Sequence, residues 1–412
     1  MAHVDRATSS PYPSYLLTFI VLGVSLSTVG PALPHLREQA GIGLGAGGTF
    51  VAAQGIGYVS ASLLTGRLLD HHGAGHRFLL GCCAGAIVGV TALSFVADLW
   101  LLSIAFVVIG ASAGGIDVAA NTLLAWHEEP AQLGTRLNGL HLRFGIGAIL
   151  APLAVAASLA VRDDLLLVSA LLIVLLAGSA WRLRGIATPV HHRRHDADRA
   201  AANEGAAPAR LGMAAPGARA LIALGAAFFI LYIGAEGGFG AWSTTYGEDI
   251  DLGLDVSAAL LTAVYWGGFT LGRIAAVVLA RTQSVDRLVT TSCAAATAFA
   301  VALTLLDGIP AATWVIVALL GFSLGPQYAS MLAAIDRRIG LDGRITSLLV
   351  GAAGAGGLVI PVAIGWLLDR SGVELLPLLT AICIGAAWLA AHLVVRRRSA
   401  AVPAVIVPAD RP

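Results

Sequence analysis

An all-α membrane protein of twelve spans, arranged as two matching six-helix halves, is the fold class this sequence predicts. Three observations point to it. The 412 residues are 57% hydrophobic and only 12% charged, with a mean hydropathy of +0.83, too few charges to cover a soluble surface. Apolar stretches of about 20 residues, enough to cross a bilayer core of roughly 30 Å, recur along the whole chain. Short motifs also recur at nearly one offset: Gly66-Arg67 is matched by Gly272-Arg273, and Phe144-Gly145-Ile146-Gly147 before Pro152 by Ala353-Gly354-Ala355-Gly356 before Pro361.

Taken in order, the spans are expected at 14–36, 49–69, 78–95, 99–126, 135–160, 165–181, 218–246, 256–280, 288–306, 312–335, 345–368 and 375–395. The first exceeds a signal peptide's apolar core and no A-x-A-like site follows it, so it reads as a retained span. Charged or Gly-rich turns divide the rest, among them an acidic loop with Glu248, Asp249, Asp251 and Asp255. Between 182 and 217 the pattern breaks into a charged, Ala-rich linker. Its His191, His192 and His195 lack acidic or Cys partners at fixed spacing, so a solvated tract is expected and no metal site. The expected units are therefore a bundle at 1–181, the linker at 182–217, a bundle at 218–395 and a tail at 396–412.

An even number of spans puts both termini on one side. All 25 basic residues are Arg, and all but Arg37, Arg143, Arg162 and Arg370 fall on the side of the termini, which places that side in the cytoplasm of a cell (inner) membrane. The cysteines Cys82, Cys83, Cys293 and Cys383 lie in apolar runs without metal spacing and are expected as free thiols. No phosphate-binding loop is present, since its Lys is absent, and neither H-E-x-x-H nor a nucleophile elbow occurs. An ATP-driven pump and an enzyme are thereby disfavoured; no cofactor and no nucleic acid partner is expected.

Polar residues inside the spans carry the functional reading. A charge at a helix centre costs roughly 2.5–3.5 kcal/mol and so faces a protein interior or a watered cavity. Asp117 and Arg143 lie at equal depth on the antiparallel fourth and fifth spans, a possible ion pair. Asn121 is one turn from Asp117 on the same face, and Asn138 shares a face with His141, a possible proton relay. Glu236 sits among Gly234, Gly237, Gly238 and Gly240, where the seventh span can bend around a cavity. Amides and aromatic faces suited to hydroxylated solutes are supplied by Gln54, Asn121, Asn138, Gln327, Trp242, Trp266 and Tyr328.

The run Gly66-Arg67-Leu-Leu-Asp70-His-His-Gly73-Ala-Gly-His-Arg77 resembles the G-x-x-x-D-x-x-G-x-x-x-R loop of the major facilitator superfamily. The resemblance implies two parallel-related halves with solute bound between them, and a cytoplasmic gate braced by these residues. Tyr232-Ile-Gly-Ala-Glu236-Gly-Gly-Phe-Gly-Ala-Trp242-Ser-Thr-Thr-Tyr246 is similar to the fucose permease-like and sodium-dependent glucose transporter-like branch. So are Gly115-Ile-Asp117-Val-Ala-Ala-Asn121, Leu140-His141 with Phe144-Gly145, and Trp266 with Gly272-Arg273. Two departures stand out: the first span holds no carboxylate, only Ser25, Ser27 and Thr28, and Arg143 is foreign to the pattern. The glycine-proline signature of drug antiporters is also missing from the fifth span.

The expected protein is a monomeric secondary transporter that imports a small neutral solute, a sugar, with protons. Asp117, Glu236, His141 and Arg143 would couple, and the amides and aromatics would bind. Its rivals are proton-coupled efflux of a hydrophobic drug or metabolite, for which a cavity of Leu, Phe and Ala would suffice, and a receptor that transports nothing.

Overall fold

The computed structural model describes residues 10–72, 75–189, 217–250, 252, 257–306, 309–339 and 343–397. α1 (Tyr12–Ser27) and α2 (Val29–Ala40) form one span bent by 43°. α3 (Leu44–His72), α4 (Gly75–Leu93), α5 (Leu99–His127), α6 (Pro130–Arg162) and α7 (Leu166–Leu183) complete the first six-helix bundle. The second comprises α8 (Ala218–Asp249), α9 (Ala259–Leu279), α10 (Val285–Leu305), the pair α11 (Pro310–Leu324) and α12 (Gln327–Ile339), α13 (Gly343–Ser371) and α14 (Leu376–Arg396). Ten of these units, with the bent first pair as an eleventh, are long and apolar enough to cross a membrane. α3 has the length, at 29 residues, but Gly45, Gly47, Gly48, Gln54 and Thr65 dilute its hydropathy.

The helices alternate in direction, so the start of α1 and the end of α14 share one face with the ends of α3, α5, α9 and α12. This is the tail face; the opposite one is the loop face. Side chains tie the helix ends together at each. On the loop face the Gln39 amide donates to the Val96 carbonyl at 2.6 Å, and the Leu165 amide to the Ser94 hydroxyl at 3.0 Å. On the tail face Arg338 donates to Asp286 at 2.9 Å and to the Val395 carbonyl at 2.8 Å. Asp98 and Ser284 cap α5 and α10 by accepting from amides of their first turns.

Lipid gives no hydrophobic push between spans, so small residues that let backbones touch decide which helices pair. The same solution occurs in both bundles. α5 lies on α3, where a Cβ on Gly110 would strike the Gln54 carbonyl, and α11 lies on α9, where one on Gly272 would strike the Phe322 carbonyl. α6 meets α1 through Gly147 and Gly23, and α13 meets α8 through Gly356 against Ile230. The internal repeat is therefore a repeat of backbone contacts. Gly66 is the exception to its counterpart Gly272, since a Cβ there would meet open space.

Three local expectations are corrected. The first span, read as one helix over 14–36, bends because Ser25 and Thr28 donate back to the carbonyls of Val21 and Val24, at 2.7 and 2.6 Å, while Pro31 and Pro34 remove amide donors. The tenth span, read as continuous over 312–335, does cross as one unit over Pro310–Ile339, but its helical ladder is interrupted at Gly325-Pro326. The glycines around Glu236 do not open α8, which runs unbroken; Gly234 and Gly238 instead receive Ile360 and Ile364 of α13. The four cysteines are free.

Gly110→Val should lower stability by about 1–3 kcal/mol through overpacking against a backbone that cannot yield. Gly351→Ala, where a Cβ meets nothing within 4 Å, should leave the melting temperature in detergent unchanged within error.

Candidate functional site

In the first bundle the site is built around Asp117. The Tyr58 hydroxyl, from α3, donates to its Oδ2 at 2.5 Å, and the Asn121 amide, one turn along α5, donates to Oδ1 at 2.8 Å. Tyr58 comes within reach because Gly114 sets α5 directly on the Tyr58 carbonyl. The pair expected with Arg143 is not formed: Arg143 makes no ion pair among the described residues, and Asp117 has the partners just named. Equal depth did not mean equal azimuth, since α6 is held against α1 and α9 whereas α5 is held against α3.

In the second bundle the centre is Glu236. The Tyr265 hydroxyl, from α9, donates to its backbone carbonyl at 2.9 Å. Arg273, two turns further along α9, is the cation within electrostatic reach of its carboxylate, while the Tyr232 hydroxyl, one turn back along α8, donates to the Leu324 carbonyl at 3.1 Å. One carboxylate oxygen, Oε2, is buried with no partner. In the same bundle Trp266 lies edge-on to Phe144 of the first bundle at 6.4 Å, and the Tyr328 ring lies 5.0 Å from that of Phe229. Tyr328 is within electrostatic reach of Asp117, Glu236 and Arg273. His141 is exposed, edge-on to Phe19 at 5.6 Å and within reach of both Arg273 and Asp117.

Four side chains singled out in the sequence share one property. Asn121 Oδ1, Glu236 Oε2, Trp266 Nε1 and Gln327 Oε1 are all buried without a hydrogen-bond partner. Leaving such a group unanswered costs about 1–3 kcal/mol. Three acceptors and one donor thus await partners across both bundles.

Other expected binding residues are engaged elsewhere. Trp242 is fully buried, donates to the Pro361 carbonyl at 2.9 Å and fills the space over Gly365, so it packs α8 on α13. Gln54 donates to the Ser25 carbonyl at 3.0 Å and braces the bend of the first span. Asn138 is exposed toward the tail-face end of α6. Of the gate motif, Gly66 and Arg77 are described and Arg77 is exposed, while the side chains of Arg67 and Asp70, and Gly73 itself, lie outside the described residues, as do His191, His192 and His195.

Sequence reasoning missed Tyr58, Tyr232, Tyr265 and Arg273 as members of the site. The depth argument applied to Asp117 and Arg143 would have found Arg273, because Glu236 and Arg273 are equidistant from the turn between α8 and α9. It also missed a cavity of about 500 Å³ on the loop face, lined from both bundles by His35, Arg37, Glu38, Thr244, Glu248 and Ser257. There Arg37 faces Glu248 and Asp369 of the second bundle. No cluster of three or more metal-ligating side chains occurs among the described residues.

Comparison with known proteins gives a family. The model of the Major Facilitator Superfamily matches residues 15–361. Sodium-dependent glucose transporter 1A of Mus musculus is 27% identical over 91% of this chain and 93% of its own length. Among solved structures, a D-xylose-proton symporter superposes with a TM-score of 0.72 at 12% identity, covering 95% of this chain and 98% of that one. The E. coli fucose:proton symporter superposes at 0.60 and 16% identity, covering 93% and 98%. At these identities the structural likeness speaks for the fold.

Tyr58→Phe should leave Asp117 short of a donor and destabilise the protein by about 1–3 kcal/mol. In an Asp117→Asn background most of that loss should vanish, so a double-mutant cycle by chemical denaturation should return a coupling close to the single-mutant cost.

Proposed function

The chain belongs to the major facilitator superfamily, and from that premise we propose that it imports a neutral sugar by alternating access, coupled to a cation gradient. The carrying observation is the set of four unanswered polar atoms. A sugar hydroxyl donates to Asn121 Oδ1, Glu236 Oε2 or Gln327 Oε1 and accepts from Trp266 Nε1, while aromatic rings such as Tyr328 meet its apolar faces. A hydrophobic drug would leave all four unmet, which weighs against efflux. The names of the glucose, xylose and fucose carriers support the solute class.

Glu236 is the coupling group in this reading. Its carboxylate has an oxygen without a partner, whereas Asp117 has a donor on each oxygen and orients Asn121. The coupling ion is a proton, which a single carboxylate can hold and release; sodium is the second reading, favoured by the name of the mouse relative. Residues 1–181 and 218–395 are the rocking bundles of a monomer, joined by the linker at 182–217, and the tail face, with the tail at 396–412, is cytoplasmic, as the arginine distribution supports.

In proteoliposomes, an imposed proton or sodium gradient should drive accumulation of labelled hexose or pentose. Glu236→Gln should lose accumulation but keep sugar exchange. Asn121→Ala and Gln327→Ala should each raise the half-saturation concentration about tenfold, equivalent to about 1.4 kcal/mol. Undiminished accumulation in Glu236→Gln would remove that residue from coupling, and dye extrusion without any sugar flux would replace import by efflux.

A further inference from the structure

The loop-face cavity is separate from the centre at Glu236. α2 and α8 run side by side toward that face and touch where a Cβ on Gly30 would strike the Gly240 and Ala241 carbonyls. That contact stands one turn beyond Glu236 on α8, and past it the two helices part. Pro31, Pro34, His35 and Glu38 share one face of α2, as spacings of three and four require, and Thr244 and Glu248 stand one turn apart on α8. With Arg37, and with Ser257 just ahead of α9, they surround about 500 Å³, within the roughly 300–1,000 Å³ of small-molecule sites.

The walls are polar, and their chemistry alternates. Arg37 lies along Gly47 of α3 through its Cγ and Cδ, and its Nε is buried with no partner. His35 adds an imidazole, its Nδ1 3.6 Å from Asp163. Opposite them Glu248 offers a carboxylate, and Ser257 and Thr244 offer hydroxyls, the latter already paired with the Thr262 hydroxyl at 2.7 Å. Pro31 and Pro34 present CH surface and no amide hydrogen. An anion would meet Arg37 but also Glu38 and Glu248, and a hydrophobe would leave the charged groups with neither water nor partner. A solute that alternates hydroxyls with CH faces suits both walls.

We propose that this cavity is a second solute site, which takes a neutral polyhydroxylated molecule such as a monosaccharide and, when occupied, holds the loop face shut. It takes its solute class from the sugar reading above and does not depend on the coupling role of Glu236. Each bundle supplies one wall, so the occupant bridges the two. The seam beside it is closed: on α3 Gly45 lies against the Asp369 carboxylate and Gly55 against Leu358, both of α13, and Gly145 of α6 lies against Thr270 of α9. Parting the bundles at this face would carry Arg37 and His35 away from Glu248 and Thr244. A ligand that binds only the joined form favours that form by mass action. Outside solute therefore restrains opening once the second site fills, and uptake passes through a maximum as its concentration rises.

The test puts a reporter thiol at Ile42, an apolar residue of the cavity wall, in the full chain in nanodiscs, and follows its alkylation by a membrane-impermeant maleimide with D-glucose as the probe. At ten times its dissociation constant the sugar leaves about one site in eleven free, so alkylation of Ile42→Cys should slow about tenfold. Adding Glu248→Gln, at an exposed position, or Arg37→Gln should raise the half-protecting concentration about tenfold, the loss of one hydrogen bond to a charged group. Adding Asn121→Ala, in the centre between the bundles, should leave it unchanged. Absence of protection would overturn the proposal, as would protection indifferent to both Glu248→Gln and Arg37→Gln, or a shift in Asn121→Ala, which would mean that the thiol reports on the centre. Protection without hexose accumulation in proteoliposomes would sink the import reading and leave the second site standing; accumulation without protection would sink the second site alone.

Discussion

A carboxylate set among hydrocarbon-facing helices has to be answered by something, and Glu236 is answered only in part. Hydrocarbon offers no water, so the backbone must close its own hydrogen bonds, and every leftover polar atom becomes a demand on its surroundings. Around Glu236 that demand has drawn in Arg273, while the Tyr265 hydroxyl meets only its backbone carbonyl, and Oε2 remains open. Asp117 shows the contrast. Both its oxygens are met from within its own bundle, and it has the character of a finished structural element. Two carboxylates at the meeting of the bundles thus have different fates, decided by which donors their helices happen to bring.

The donors arrive where they do because of backbone contacts. Each bundle seats one helix on another through glycine against carbonyl, and each seating fixes a rotation as well as a distance. Gly114 on the Tyr58 carbonyl brings a phenol to Asp117; Gly321 on the Tyr265 carbonyl fixes α11 on α9 beside the phenol that meets α8. The resemblance between the bundles is therefore exact enough to build two polar centres, but the side chains supplied at equivalent places differ. That difference gives a symmetric scaffold an asymmetric chemistry.

Most of the architecture could be read in the residues, because apolar length and a repeated Gly pattern report directly on a bilayer's thickness and on close helix approach. Polarity in apolar runs singled out Asn121, Glu236 and Gln327, and an indole face singled out Trp266; each of the four has an unmet atom. Azimuth was not legible. Asp117 and Arg143 share a depth but face different neighbours, and Trp242 and Gln54 proved to be braces, since a single sequence does not say which face of a helix meets which partner. Breaks were visible in principle. Pro31, Pro34 and Pro326 were present, but apolar length alone overrode them, and the back-bonded hydroxyls that bend the first span have no signature in hydropathy.

That bend has a mechanical meaning. α2 is joined by the chain to the first bundle, yet Gly30 sits against the backbone of Gly240 and Ala241 in the second. A straight rod so placed would transmit every tilt of one bundle to the other. A rod with an elbow at Thr28 can keep its far end resting on the opposite bundle while its near end swings with its own. The elbow also sacrifices little, because the Ser25 and Thr28 hydroxyls and the Gln54 amide already occupy carbonyls around it. The first span is then less a pillar than a crankshaft, jointed at Thr28 between a half packed in its own bundle and a half resting on the other.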